Sequence, residues 1–492
     1  MSMRIGGLAS GMDIDSLVKD LMRAERIPLD KLSQKKTTLE WQRDDYRSMN
    51  RLLKDLDNLI FSGINMQGSF SKKAVTSSNS SVVSATANGN AVNTSTAINV
   101  TKLAKPAMWV TEGTLAEGYT AAADVKLSFS VKSGDGLTTS TQTIDIVKGD
   151  SIDTIASKFN SSGLGVTAFY DEQQDKFVIT KKDTGDQASI IINDTGPGTE
   201  TFMKSLGFTN AVTNGEIATT GKTQGGLAEF TINGYATKRA TNSFPISGVT
   251  YNLQQIGSAN ISVSSDTNAT VDVIKSFVDK YNETIEAINK KTSETRYRDF
   301  PPLTDEQRKD LSEKEAELWD EKAKSGMLRR DSILSSGLNA LRQDMYSTIN
   351  TGDTKYDQLS EIGITTTSIY QDKGKLEIDE KKLREALATN PDAVMKLFTG
   401  TTSDEGIAKK LRATIEATKK KIESKAGNTG GTNATFTLGR ELTDVDKRIS
   451  AFEDRLVQVE NRYWRQFSAM EQAIQRSNQQ AMYLMQQFGG GQ

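Results

Sequence analysis

The clearest pattern in this chain is a three-four alternation of apolar positions near its end. From Leu442 it runs through Val445, Ile449, Phe452, Leu456, Val459, Tyr463, Gln466, Met470, Ala473, Ser477 and Gln480 to Leu484. Only Gln466, Ser477 and Gln480 break the apolar stripe, and no Pro or Gly falls inside the run. This is a heptad seam, whose 3.5-residue spacing keeps one stripe turned to a partner helix. At 1.5 Å per residue the rod is about 65 Å long, more than one compact domain covers. Some other part of the chain must bury it.

The partner stands at the other end. Asp13 is placed to cap a helix whose inner face carries Ile14, Leu17, Val18 and Leu21. Pro28 suits the first turn of a second helix. From there Leu32, Leu39, Tyr46, Leu53 and Ile60 recur every seven residues, joined by Met49 and Leu56. The two ends are therefore expected to be long helices lying side by side.

Between them the pattern changes. From Ser69 to about Asp266 helical periodicity is lost, and short β-type runs appear at 82–86, 98–103, 125–131, 143–147, 166–170, 177–180, 189–192, 249–253 and 260–263. Asn233-Gly234 separates runs 229–232 and 235–238, a hairpin signal. One small helix opens at Ser151 and stops at Gly163. Helices resume at 270–292, then after Thr304, which forms a capping box with Gln307 and opens one charged helix, then at 332–348, 380–389, 391–398 and 407–425. The stretch 426–437 (AGNTGGTNATFT) reads as a flexible joint.

The expected fold is α+β and multidomain: long terminal α-helices form a coiled-coil or helical-bundle leg, and two β-rich head domains are inserted between them. The expected divisions are a leg segment 1–42, a helical body 43–69 with 266–437, an inner head domain 70–118 with 225–265, an outer head domain 119–224, and a C-terminal coiled-coil helix 438–492.

Composition removes several functions. Cys and His are both absent, so catalytic triads, Cys–His pairs and zinc sites built from those residues are excluded. Net charge is −2 with interspersed signs, which leaves no basic face for nucleic acid. No apolar run reaches the length of a membrane span, and the opening residues lack the basic-then-apolar layout of a cleavable signal. The carboxylates of 305–324 alternate with Lys and Arg as on a solvated helix. Gly427–Gly431 lacks the Lys-Ser/Thr of a phosphate loop, and no acidic cluster matches a calcium loop. Aromatic residues that would line a sugar-cleaving cleft are scattered. The residues point away from an enzyme and call for no cofactor or metal.

Four stretches resemble one family. GGLASGMDIDSLVKDLM is similar to the N-terminal signature of the bacterial flagellar filament cap family (FliD, a hook-associated protein). SIDTIASKFN, GVTAFYD and DKFVITKKDTG resemble a repeat shared by flagellins and hook-associated proteins. AEFTINGYATKRATN with DTNATVDVIKSFVDKYNETIEAIN, and PPLTDEQRKDLSEKEAELWDEKAKSGMLRRDSIL, resemble the family's C-terminal region.

The resemblance implies a secreted, non-enzymatic homo-oligomer, typically a pentamer, at the distal tip of the flagellum. It implies export through the flagellar type III apparatus and promotion of flagellin folding and insertion. Its further implied partners are a hook–filament junction protein and an export chaperone that takes the C-terminal helix. Leu8, Met12, Ile14, Leu17 and Leu21, with the seam residues Leu442, Val445, Ile449, Phe452, Leu456, Val459, Tyr463, Met470 and Leu484, are then expected to contact filament or neighbouring subunits. A hook–filament junction or flagellin-like protein is the alternative, and host-surface adhesion through the heads a possible second role.

Overall fold

The computed structural model describes residues 12–193, 197–211, 215–217, 222–368 and 373–489. The chain divides into two compact units, Met1–Phe70 with Thr267–Gln492, and Ser71–Asp266.

The first unit is helical. Its N-terminal helix, Ile14–Ser62, begins where the Asp13 carboxylate accepts from the Ser16 amide at 3.0 Å. Pro28 lies inside this helix and does not start a second one. A proline deletes one backbone hydrogen bond, and the forty-nine-residue helix continues through that gap. Of the stripe expected from the sequence, Leu39, Tyr46, Met49, Leu53, Leu56 and Ile60 are buried, and Leu32, at its start, is half-buried. They share one core with Val271, Ile274, Phe277, Tyr281 and Ile285 of the helix Thr267–Ser293. The helices Ser332–Met345, Glu380–Thr389, Pro391–Thr399 and Ile407–Ala426, with a small hairpin (Ile364–Thr366 and Leu376–Ile378), complete this body.

Two further expectations are corrected. The charged stretch after Thr304 is two helices, Asp305–Lys309 and Glu313–Lys324, because Ser312 and Glu315 form a second capping box that restarts the backbone. Residues 426–437 form a turn anchored in the body core at its two ends by Ala426 and Phe436, with 428–430 and 432–435 exposed between them. Phe436 there is 1% exposed within the body core, with the Arg47 guanidinium 5.5 Å from its ring centre. One buried aromatic outweighs a polar, glycine-rich neighbourhood.

The second unit is β-rich and holds two separate cores. A five-stranded antiparallel sheet runs in the order Lys73–Ser77, Gly257–Ser265, Thr94–Lys102, Ala228–Ile232, Tyr235–Arg239. A three-stranded sheet, Ser243–Ile246, Val249–Leu253 and Val83–Ala87, shares its core of Val83, Ile98, Val100, Phe230, Phe244, Tyr251 and Ile261. The Asn233-Gly234 hairpin is present, with both turn residues at positive φ, 51° and 83°, as its turn type requires. The second core gathers Trp109, Leu115, Phe129, Phe159, Phe177 and Phe208, from residues that follow Lys105 and precede Gly226. Lys105 and Gly226 are themselves paired, each amide donating to the other's carbonyl at 3.0 and 2.9 Å.

Candidate functional site

The C-terminal helix spans Thr437–Gly489, fifty-three residues without interruption, and packs along the N-terminal helix. Lys36 pairs with Asp446 at 2.7 Å, and the Tyr463 hydroxyl donates to Glu25 at 3.0 Å. Moving backwards along the first helix thus moves forwards along the last, so the pair is antiparallel. The hydrogen bond to Asp446 is the main reason the Lys36 ammonium is held above its usual pKa, and burial opposes it.

The seam changes character along its length. Leu442 and Val445 belong to the body core, with Ile449 packed against it. Leu456 and Val459, on the other helix Ile14 and Val18, are also buried, outside that core. Phe452 and Tyr463 are half-buried. Past Tyr463 the burial leaves the predicted line: Phe467 and Ile474 are half-buried, whereas Gln466 and Ala473 are exposed. An α-helix turns every 3.6 residues, so a 3.5-residue stripe drifts unless the pair supercoils, and the larger apolar neighbour takes the inner place. Phe467 and Ile474 were legible as apolar residues one step off the stripe.

The remaining expected contact residues stand outside this intramolecular seam. Leu17 and Leu21 are 40% and 39% exposed, beside the buried Ile14 and Val18. Met12 and Met470 are at the edge of the pair, 36% and 37% exposed. Leu484 is 51% exposed, in a run with Met482, Tyr483 and Met485 that is more exposed still. Leu8 lies outside the described residues. Among the described residues no group of three acidic side chains is placed to hold a metal ion. No described helix is long and apolar enough to cross a membrane.

Comparisons with known proteins agree with one another. Residues 226–479 match the family profile "Flagellar hook-associated protein 2 C-terminus", residues 10–107 match its N-terminus, and residues 126–183 match the "Flagellin hook IN motif". The flagellar hook-associated protein 2 of Halalkalibacterium halodurans is 37% identical over 99% of this chain and 100% of its own length. That of Escherichia coli strain K12 is 24% identical over 98% of this chain and 97% of its own. The crystal structure of the D1-D2-D3 domains of the Escherichia coli flagellar cap protein FliD shares the fold. Its TM-score is 0.57 at 22% identity, covering 78% of this chain and 96% of that one. The heptad-paired terminal helices, the β-rich insertion and the full-length match lead to one assignment: this chain belongs to the flagellar hook-associated protein 2 family.

Proposed function

We propose that the protein is a non-enzymatic cap at the distal tip of a bacterial flagellar filament. It acts there as a homo-oligomer, a pentamer, and promotes folding and insertion of flagellin subunits exported through the flagellar channel. The observation that supports this reading most is the antiparallel helix pair, whose apolar residues extend beyond its own seam. Leu17, Leu21, Met470 and Leu484 are left to water in a single chain, and exposed apolar patches of this kind mark interaction surfaces. In the cap they would meet filament subunits and neighbouring copies, and before assembly an export chaperone would cover the end of the C-terminal helix. A hook–filament junction protein would lie at the base of the same filament.

The domain plan belongs to the proposal: a leg from the two terminal helices, a helical body, an inner head and an outer head. Trp109 and Leu115 lie in the second β core, so the outer head is drawn from Pro106 instead of residue 119.

The deciding experiment measures unpolymerised flagellin in the medium of a strain lacking this gene, with and without purified protein added back. Leakage with stunted filaments, reversed by the added protein, supports the cap. Normal filaments without leakage would sink it and favour a junction role.

A further inference from the structure

Asn-Gly pairs stand at Asn88, Asn214 and Asn233. In such a pair no side chain shields the following amide nitrogen, which can reach the asparagine carboxamide and close a five-membered imide. Asn214 lies outside the described residues. Asn88 and Asn233 both belong to the β-rich unit and both are exposed, so access of water does not separate them. Their hydrogen bonds do.

The Asn88 carboxamide is folded back on its own chain. Its Oδ1 accepts from the Asn90 amide at 3.1 Å, and the Asn88 carbonyl accepts from the Ala91 amide at 3.0 Å. An oxygen bonded two residues ahead lays the carboxamide over the intervening peptide, whose nitrogen is that of Gly89. Such a fold brings nucleophile and electrophile together, and the Asn90 amide faces the oxygen on which negative charge would develop. Asn233 is held the opposite way. Its Oδ1 accepts from the Ala97 amide at 2.9 Å and its own amide donates to the Ala97 carbonyl at 2.8 Å. Both bonds go to the neighbouring strand Thr94–Lys102, so the carboxamide is drawn away from Gly234.

We propose that Asn88 is a site of spontaneous deamidation and isoaspartate formation in the folded protein, and that Asn233 is protected by its ties to Ala97. The Gly89 nitrogen gives up its proton to base and attacks Asn88 Cγ. The new C–N bond closes the imide, and the carboxamide nitrogen takes up a proton and leaves as ammonia. Water then opens the imide at one carbonyl or the other, giving aspartate or isoaspartate. The isoaspartate route adds a methylene to the backbone within a fitted loop. Before it, the Asn88 amide donates to the Gly248 carbonyl at 2.9 Å and extends the pairing of Val83–Ala87 with Val249–Leu253. After it, Gly89 packs so closely that an added Cβ would come within 2.7 Å of Ser71 Oγ. A longer backbone fits neither contact, and the end of the three-stranded sheet loosens. This inference does not rest on the cap reading.

The test incubates the full chain in warm, mildly alkaline buffer, folded or unfolded in urea. Peptide mapping with isoaspartate-specific methyl labelling follows both pairs over time. In the folded chain Asn88 should convert at least tenfold faster than Asn233, and in urea the two rates should converge. Folded protein rich in isoaspartate at position 88 should melt below the variant Asn88→Asp, which carries the same charge without the extra methylene. Equal rates in the folded chain, faster conversion of Asn233, or a contrast that survives unchanged in urea would each overturn the protection argument. Identical melting of the two modified forms would overturn the loosening of the sheet.

Discussion

Tyr46 shows how single side chains fasten the N-terminal helix to the body. Its hydroxyl donates to one carboxylate oxygen of Asp331, and the other oxygen accepts from the Leu334 amide at 2.9 Å, capping the next helix. Burial first, and this hydrogen bond second, push the Tyr46 phenol far above its usual pKa. Tyr46→Phe strands a carboxylate oxygen and should lower the unfolding free energy by about 1–3 kcal/mol in urea denaturation. Asp331→Ala should cost about 1 kcal/mol more, because the cap goes with it. Asp45, one residue earlier, faces Lys291 at 3.1 Å, yet burial is the larger influence and its carboxyl titrates above the usual range. The folded state therefore holds that proton more tightly than the unfolded chain. Its contribution to stability falls as pH rises from the unfolded value through the folded one. The melting temperature of Asp45→Asn relative to the parent should accordingly rise between pH 3 and 6. A flat or falling difference in scanning calorimetry would contradict this.

At the scale of elements, the two terminal helices are one structure with two regimes. Near the body they share its core. Beyond Ile449 they are held by a thin apolar seam and a few polar ties such as Tyr463 to Glu25. Leu456 is 6% exposed and Leu484 51%. Leu456→Ala should cost about 2 kcal/mol or more and loosen the pair, read as lost helical signal on heating. Leu484→Ala should stay within about 0.5 kcal/mol in the isolated chain. Gln466 and Ser477 interrupt the apolar stripe and are exposed. Placing Leu at both would add apolar surface beside Phe467 and make the helix contacts harder to exchange, so filaments should grow more slowly. Unchanged growth rates would remove that role from the two positions. The single charged helix expected after Thr304 misses its break because the Ser312 capping box lies inside an otherwise unbroken helical composition.

At the scale of the whole molecule, the β-rich unit is an insertion whose ends meet. Lys73–Ser77 pairs antiparallel with Gly257–Ser265, and the Asp266 amide donates to the Lys72 carbonyl at 2.8 Å. On the helical side, Thr270 Oγ1 donates to the Ser69 carbonyl at 3.3 Å. An insertion closed in this way makes little demand on its host, since joining nearby ends costs little loop entropy. A fragment covering residues 71–266 should melt cooperatively by itself. A chain in which a short Gly-Ser linker replaces it should keep the helical signal of the body. A fragment without a cooperative transition would show that the two units fold as one.

Local rules acting over short spacings made much of this legible in the sequence. Heptad repetition marked both long helices, the seven-residue stripe from Leu39 to Ile60 marked the face that is buried, and Asn233-Gly234 marked its hairpin. The absence of Cys and His closed whole classes of chemistry before any fold was known. Tertiary packing alone decided the rest. Pro28 stays helical because the helix on either side of it outlasts one missing hydrogen bond, and Phe436 turns a glycine-rich stretch into a packed corner because a core was there to receive it. Trp109 joins the second β core because strand Pro106–Val110 pairs with Lys176–Thr184, a partner far away in sequence. Which of Gln466 or Phe467 turns inward depends on where the partner helix lies. A repeat in sequence fixes the kind of element, but the partner's position fixes which side chains leave water.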